Sequence, residues 1–375
     1  MPAALPAEAT SASVDAVHGF ESSIASQDPV AQAGFEAARK AEDFWARLRQ
    51  DLHWPSCEAT PQIQSWMKRY AARPDRFAQT LKPIAPMMAW VHRQAEAHGL
   101  PGEVVFLPLV ESYYRPDARG PGGASGMWQF MADTARRLGL RVGAGWDERM
   151  DVVPATDAAM RMLRQQLDAF DGNPKLMFAA YNAGGYRVQK ALGGRDYASV
   201  RSLSGLGLTR TTEEHMAKLR ALGCLVIEAE RIGLQLPVLT AEDELAVWRP
   251  PFPIAPEAVL ALGEEVSPDF RRRHPTAVQR RAIAPESGVL VRARWAPRLG
   301  AEALAGNWTA IEPRNPKPVP VQADPGAKVH IVRAGDSLWT IARAHRLRVK
   351  DLLRWNDLRS QSLLRIGQRI RLQAP

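Results

Sequence analysis

The chain has 375 residues, of which 46% are hydrophobic and 24% charged, as in an ordinary globular protein. Its length argues against one core, since single cores stop growing at roughly 250 residues, and no apolar run approaches the roughly 20 residues that span a bilayer. The formal charge of +9 favours an acidic partner, either nucleic acid, an anionic membrane surface or a cell-wall polymer that carries carboxylates.

The first part of the chain is predicted to be helical. Residues 1–30 have the small, polar composition of a flexible leader and show no export signal. Helical periodicity begins within residues 31–52, and its clearest stretch runs from Asp75, placed to cap it, to His98. Because no strand pattern interrupts it, we predict an all-helical domain over residues 31–235, with its core at 75–235 and further helices at 103–112, 132–138, 155–170, 174–182 and 212–232.

The remainder of the chain predicts two smaller units. Residues 236–326 form a Pro-rich region in which 254–270 indicate a short helix pair and 288–294 a strand, so a small mixed α/β module is expected. Its second Pro-rich piece, residues 313–320, is typical of an extended linker. Residues 327–373 then predict a β-α-α-β module with a strand at 329–333, helices at 337–345 and 349–355, and a strand at 368–372.

The most informative segment surrounds Glu111. This residue ends the apolar run Val104 to Val110, where a carboxyl group loses solvation and its protonated form is favoured. A protonated carboxyl is what general acid catalysis at a glycosidic oxygen requires. The tetrad Met127-Trp128-Gln129-Phe130 follows a glycine-rich turn and offers an aromatic ring and an amide to a sugar. Taken alone, this pattern is more often a helix-ending glutamate before an ordinary loop.

A second segment, Phe178 to Tyr186, places Tyr181 and Asn182 at the end of a helix that Gly184 and Gly185 stop. A phenol and an amide there are suited to line a cleft. Taken singly, the tyrosine is more often a core residue with one satisfied hydroxyl, and the asparagine a helix terminator.

In combination, the blocks E-S-x-Y-x-P, G-A-S-G-M-W-Q and A-Y-N-A-G closely resemble the goose-lysozyme-like catalytic domain of lytic transglycosylases. The resemblance covers roughly residues 75–235 and implies a mainly α, lysozyme-like fold. It implies that Glu111 is the sole catalytic acid and base. It also implies a set of substrate-binding residues, namely Ser112, Gly126, Gln129, Met131, Tyr181 and Asn182.

Two positions depart from the family pattern. Gly120 stands where the family usually has a serine that helps orient the glutamate, and Arg115 stands where Asn or Asp is common. Asp151 resembles an acidic residue for which we expect a structural role. The catalytic carboxyl itself is present.

The reaction implied by the resemblance cleaves the β-1,4 bond between N-acetylmuramic acid and N-acetylglucosamine without water and gives 1,6-anhydromuramic acid ends. It needs no cofactor and no metal, and Cys57 and Cys224 show no metal-ligand spacing with the histidines. A two-carboxylate hydrolase, the alternative, needs a second acid, for which Asp117 and Asp133 are candidates.

The last module closely resembles a LysM domain, from the strand that leads into Gly335 to the closing Ile366-Gly367-Gln368. The resemblance implies binding to N-acetylglucosamine-containing glycans through two loops, at Gly335, Asp336, Ser337, Leu338, Leu364 and Ile366. Asp336 also has a structural interpretation as a helix cap. Ala255 to Phe270 weakly resembles the helix pair of this module, which would make residues 246–308 a degenerate copy of it.

Three classes of function follow. The first is a transglycosylase that the LysM module tethers to its polymer. The second is a non-catalytic peptidoglycan-binding protein on the same scaffold, and the third is a nucleic-acid-binding protein, suggested by Arg271 to Arg273 and the basic last module. No nucleic-acid-binding signature accompanies these arginines, so we expect peptidoglycan glycan strands and no nucleic acid as the partner. We expect the periplasm or cell envelope as the location, and any membrane association would need a segment absent from this chain. The oligomeric state stays open.

Overall fold

The computed structural model describes residues 44–54, 57, 60–143, 146–263, 267–275, 282–306, 308, 310, 329–332, 338–345, 347–356, 358 and 368–374. The expected leader and the Pro-rich linker at 313–320 lie outside these residues. Within them, no helix has both the length and the apolar character to cross a membrane.

The first part of the chain is mainly helical, as predicted, and forms one hydrophobic core. Its helices are α1 (Phe44–Asp51), α2 (Pro61–Tyr70), α3 (Pro74–Leu81), α4 (Ala85–Ala97), α5 (Phe106–Ser112), α6 (Ala132–Arg137), α7 (Val152–Ala169), α8 (Pro174–Ala183), α9 (Gly185–Leu192) and α10 (Arg210–Ile227).

The predicted helix over 75–98 is two helices, α3 and α4. Pro83 lies between them, and a proline removes a backbone donor and clashes with the preceding turn. Asp75 is not the cap: Arg73 occupies the N-cap position and Asp75 lies in the first turn. Gly99, at φ +60°, follows the end of α4 as predicted.

Three other elements differ from the prediction. Helix α2 has no counterpart in the prediction. Its apolar residues nevertheless recur at helical spacing, with Ile63 buried and Trp66, Met67 and Tyr70 partly buried. Helix α9 starts at Gly185, one of the two glycines expected only to stop the preceding helix. A short antiparallel hairpin, β1 (Val142–Gly143) with β2 (Trp146–Asp147), corrects the all-helical prediction, because strands of two residues have no alternation to detect.

The middle module has the order β3 (Leu245–Trp248), α11 (Pro256–Leu260), α12 (Ser267–Arg273), β4 (Val289–Arg292) and α13 (Ala296–Leu304). The helix pair and the second strand confirm the mixed prediction, and β3 was not predicted. Strands β3 and β4 pair antiparallel. Leu290 belongs to the core of the helical part, whereas its neighbours Val289 and Val291 belong to the module's own core. The sheet is thus covered on both faces, which removes the alternation that marks a half-exposed strand.

The last module confirms the predicted β-α-α-β order, with β5 (Val329–Ile331), α14 (Leu338–Ala344), α15 (Val349–Trp355) and β6 (Arg369–Arg371). Strands β5 and β6 pair antiparallel around a small apolar core. The Asn356 amide donates to the Leu352 and Arg371 carbonyl oxygens, at 2.8 and 2.9 Å, and its oxygen accepts the Arg371 N–H at 2.6 Å. This side chain therefore joins the end of α15 to β6.

Candidate active site

Glu111 lies near the end of the buried helix α5. Phe106, Leu107 and Leu109 of this helix are in the core, whereas the Glu111 side chain is 19% exposed. The sequence of α5 therefore drives an apolar helix into the core and leaves one carboxyl group at the boundary with solvent.

The chain leaves α5 through two consecutive non-glycine residues in the left-handed region, Tyr113 at φ 54° and Tyr114 at φ 59°. Such a conformation costs roughly 1–2 kcal/mol per residue, and strain of this kind often occurs at functional sites. The buried Tyr114 hydroxyl donates to the Val105 carbonyl oxygen at 2.7 Å, and burial raises its pKa well above the usual value. These contacts fix the turn that directs Glu111.

The Glu111 carboxyl forms a hydrogen bond with a histidine that sequence reasoning missed. His215 of α10 places its Nε2 2.9 Å from Glu111 Oε1. The imidazole is buried, and its Nδ1 has no hydrogen-bond partner among the described residues. The two residues are 104 positions apart, so no local motif signals this pair.

Ser112 connects α5 to the glycine-rich loop. Its buried hydroxyl donates to the Met127 carbonyl oxygen at 2.8 Å and accepts the Arg115 N–H at 3.2 Å. The Arg115 side chain also donates to the Ser112 carbonyl oxygen at 3.2 Å, which places a cation at the C-terminal end of the helix. This departure from the family pattern is thus compatible with α5.

Gly126 makes room for another part of the backbone. At φ +82°, a Cβ on this residue would lie 1.7 Å from the Arg149 carbonyl oxygen. The Gly126 carbonyl oxygen accepts the Gln129 side-chain amide at 2.7 Å. The glycine is therefore required for packing inside the loop, whatever contact its backbone makes with a sugar.

Gln129 occupies the space beside Gly120. A Cβ on Gly120 would lie 2.1 Å from Gln129 Oε1. The glutamine itself is in the left-handed region, at φ 49°. The Gln129 amide can therefore occupy this position only because residue 120 has no side chain.

Tyr181 of α8 closes the opposite side of the loop. Its hydroxyl donates to the Trp128 carbonyl oxygen at 2.6 Å, and the buried Trp128 indole donates to the Thr156 hydroxyl of α7 at 3.0 Å. Burial, with a contribution from the Glu111 charge, raises the Tyr181 pKa well above its usual value. The phenol is thus a neutral donor that lies near the carboxyl. Asn182 beside it is half-buried, and Met131 is 45% exposed.

The other carboxyl groups have different surroundings. Asp133 is exposed and pairs with Arg136 at 3.0 Å, and Asp117 is also exposed. A two-carboxylate hydrolase needs its second carboxyl ionised and across the sugar from the acid, and neither Asp117 nor Asp133 makes a described hydrogen bond or ion pair with Glu111 or its neighbours. Asp151 is buried at the N-cap position of α7, which agrees with the structural role expected for it.

One group of described residues has the composition of a metal site, namely Asp51, His92 and Glu96. The buried His92 imidazole lies 2.8 Å from the Asp51 carboxylate and 3.8 Å from that of Glu96. Burial lowers the His92 pKa, and the two carboxylates raise it. Burial is the larger effect and leaves the pKa of His92 below its usual value, so the contact of this buried ring with the Asp51 carboxylate is that of a neutral imidazole.

Two cavities lie elsewhere. One of ≈ 660 Å³ is lined by Trp54, Lys175, Arg201 and Arg220, among others. A smaller one of ≈ 180 Å³ lies between Phe44, Arg93 and Leu239. Glu111 lines neither of these two cavities.

Most of the expected LysM contact residues, Gly335, Asp336, Ser337, Leu364 and Ile366, lie outside the described residues. Leu338 is described, and its side chain is buried in the core of the last module. Any glycan contact by Leu338 would thus go through its backbone.

Family models match two parts of the chain. The Transglycosylase SLT domain matches residues 88–201, which include Glu111, and the LysM domain matches residues 330–373. The first match overlaps the helical part and the second the last module.

Three known proteins match the chain over different fractions of its length. Membrane-bound lytic murein transglycosylase D of Escherichia coli K12 is 30% identical over 335 residues, which cover 88% of this chain and 73% of that protein. Peptidoglycan transglycosylase gp16 of Escherichia phage T7 is 33% identical over 114 residues, or 29% of this chain and 9% of that protein. The solved lytic transglycosylase Slt of Pseudomonas aeruginosa has 18% identity and a TM-score of 0.31, with 56% of this chain and 37% of that one covered.

Proposed function

Since the chain belongs to the lytic transglycosylase family that includes membrane-bound lytic murein transglycosylase D, we propose that Glu111 is the single acid and base with which it cleaves peptidoglycan glycan strands. The observation that carries this assignment is the position of Glu111, a carboxyl at the end of a buried helix beside the Ser112, Gly126 and Tyr181 segments. The other two family blocks thus surround the one carboxyl that the chemistry needs.

The proposed reaction uses the carboxyl twice. Glu111 first gives its proton to the oxygen between N-acetylmuramic acid and N-acetylglucosamine, and the bond from the muramoyl C1 to that oxygen breaks. The substrate's 2-acetamido group stabilises the cation that develops at C1. The muramoyl C6 oxygen then bonds to C1, and its proton returns to Glu111. No water is consumed, and the product ends in 1,6-anhydromuramic acid.

The residues around Glu111 supply the substrate contacts in this proposal. Gln129, Met131 and Asn182 line the cleft, and Ser112 and Gly126 hold the loop that forms its wall. Tyr181 keeps its proton near neutrality because burial raises its pKa, so it holds the loop as a donor and takes no part as a base. Two hydrogen bonds hold the loop in place. One comes from Ser112 of α5 and the other from Tyr181 of α8.

The last module carries the enzyme to its polymer. We assign glycan binding to its two loops, at Gly335, Asp336, Ser337, Leu338, Leu364 and Ile366. Binding there raises the concentration of glycan near Glu111. Residues 246–308 have a similar order of elements and the same antiparallel pairing, and on that basis we assign them as a degenerate copy of this module. We place the protein at the periplasmic side of the cell envelope, where peptidoglycan lies.

Mass spectrometry of the muropeptides that the protein releases from purified sacculi tests this function. We expect 1,6-anhydromuramic acid ends from the wild type and from Asp133→Asn, a matched change of an exposed carboxyl, and none from Glu111→Gln. Reducing ends in place of anhydro ends would show a hydrolase. Sacculus binding without release by the wild type would leave a glycan-binding protein on an inactive scaffold.

A further inference from the structure

We infer that His215 is the positioning residue of the catalytic carboxyl. Its Nε2–H donates to Glu111 Oε1 throughout the reaction and leaves Oε2 as the oxygen that exchanges protons with the glycan. This inference rests on the role proposed above for Glu111 and adds a second residue to it.

The geometry separates the two oxygens of the carboxyl. Nε2 lies 2.9 Å from Oε1, within the range of a good hydrogen bond. The His215 side chain is 7% exposed and that of Glu111 is 19% exposed. Because Oε1 faces a buried ring, the accessible part of the carboxyl is left to Oε2.

The surroundings of the other ring nitrogen indicate which one carries the proton. His215 Nδ1 is buried, and it has no hydrogen-bond partner in the described part of the chain. A neutral imidazole has one N–H donor. A proton on Nδ1 would bury an unpaired N–H, which folded proteins rarely do, whereas a proton on Nε2 is used in the bond to Glu111. Nε2 is therefore the donor.

A fixed donor to Oε1 serves both halves of the reaction. When Oε2–H gives its proton to the leaving oxygen, a negative charge appears on the carboxylate, and a hydrogen bond to an ionised acceptor is stronger than one to a neutral acceptor. When Oε2 takes the proton of the C6 hydroxyl, Oε1 is still held. His215 neither gains nor loses a proton over the cycle. Without the bond, the broad terminal torsion of glutamate lets the carboxyl leave the reactive orientation.

Helix α10 is a rigid support for this donor because it packs against α5. Gly223 lies at this contact, where a Cβ would be in ordinary van der Waals contact with the Phe106 ring, at 3.7 Å. The buried positions that share a face of α10 with His215 follow helical spacing: Thr212, Leu219 and Leu222.

Three substitutions separate the donor from the shape of the ring. His215→Gln places an amide N–H near the position of Nε2, His215→Asn places one near Nδ1, and His215→Phe keeps a ring without a donor. On soluble glycan strands, we expect kcat to fall about 10- to 100-fold for the Asn and Phe variants, as for the loss of a hydrogen bond to a charged group. The Gln variant should stay within about fivefold of the wild type, and KM should change by less than about twofold, because the glycan contacts are unchanged.

The controls distinguish failure of this inference from failure of the proposed function. His274→Phe replaces another buried histidine in a separate core, and it should lower Tm without changing kcat. Full activity of Glu111→Gln would overturn the proposed function itself. If Glu111→Gln is inactive but the three His215 variants share one kcat, whether high or low, the position of the donor has no effect and His215 is not a positioning residue.

Discussion

Replacement of Gly126 by alanine tests the packing of the loop that faces Glu111. The new Cβ would lie 1.7 Å from the Arg149 carbonyl oxygen and 2.5 Å from the carbonyl carbon. Both are backbone atoms, so the two chain segments have to move apart by more than an ångström. Arg149 resists this movement, because its buried guanidinium donates to the Gly123 and Phe130 carbonyl oxygens at 2.7 and 3.0 Å.

The expected cost has two parts. Forcing extra atoms into a packed core costs about 1–3 kcal/mol, and a left-handed alanine costs roughly 1–2 kcal/mol. We therefore expect Gly126→Ala to lose about 2–5 kcal/mol of unfolding free energy. For a helical domain of this size, that loss corresponds to a Tm lower by about 4–20 °C.

Gly123→Ala is the matched control. Gly123 also has a positive φ, of +86°, but a Cβ there would meet nothing within 4 Å. It carries only the backbone cost, about 1–2 kcal/mol. Thermal unfolding followed by far-ultraviolet circular dichroism measures both variants, and equal Tm losses would refute the argument from overlap with the Arg149 backbone.

Two further predictions concern the other modules. Burial lowers the His274 pKa to about 4, and the ring accepts the Leu290 N–H through Nε2. The unfolded chain therefore binds this proton more readily, and stability that is fully present above about pH 6.5 should fall by about 3 kcal/mol as the pH drops to 4. Urea unfolding at pH 7 and pH 4 measures the total loss of stability, which should be about 3 kcal/mol smaller in His274→Gln because that variant lacks the titrating ring. Asn356→Ala removes the hydrogen bonds to Arg371 and should weaken sacculus binding by the last module. The exposed Arg354→Ala is the control and should bind as the wild type does. Equal binding by both variants in a pull-down would contradict a role for Asn356 in holding the module together.

Helix boundaries show what could be predicted from sequence alone. Helix α7 has a regular stripe of buried residues and was predicted to within three residues of its start. Helix α2 was missed although its apolar residues, Ile63, Trp66 and Met67 among them, have helical spacing. Pro83 separates α3 from α4 within an otherwise continuous pattern. Periodicity thus indicates where a helix can form but not where two helices meet, because a proline can break the helix without disturbing the spacing of the apolar residues.

The site divides in the same way. Glu111, Tyr181 and the glycine-rich loop were identified because their residues form short blocks of fixed spacing. His215 could not be found by spacing, since a fold brings it to Glu111 from a helix about one hundred residues later. The packing role of Gly126 was also invisible, because the Arg149 carbonyl that it accommodates comes from a different segment. Short sequence blocks thus identify the family and its catalytic residue, whereas the contacts that orient that residue come from distant parts of the chain.

The absence of the family's serine at position 120 has a structural counterpart in this chain. A side chain at Gly120 would overlap Gln129 Oε1, so a serine is incompatible with the amide as it stands. The glutamate nevertheless has an orienting partner, His215 on a packed helix, in place of one on a loop. A group held on a helix is better fixed than one on a loop. The missing serine at position 120 is therefore weak evidence for an inactive scaffold. The Glu111 carboxyl, which that serine would help to orient, has a hydrogen-bond partner on α10 instead.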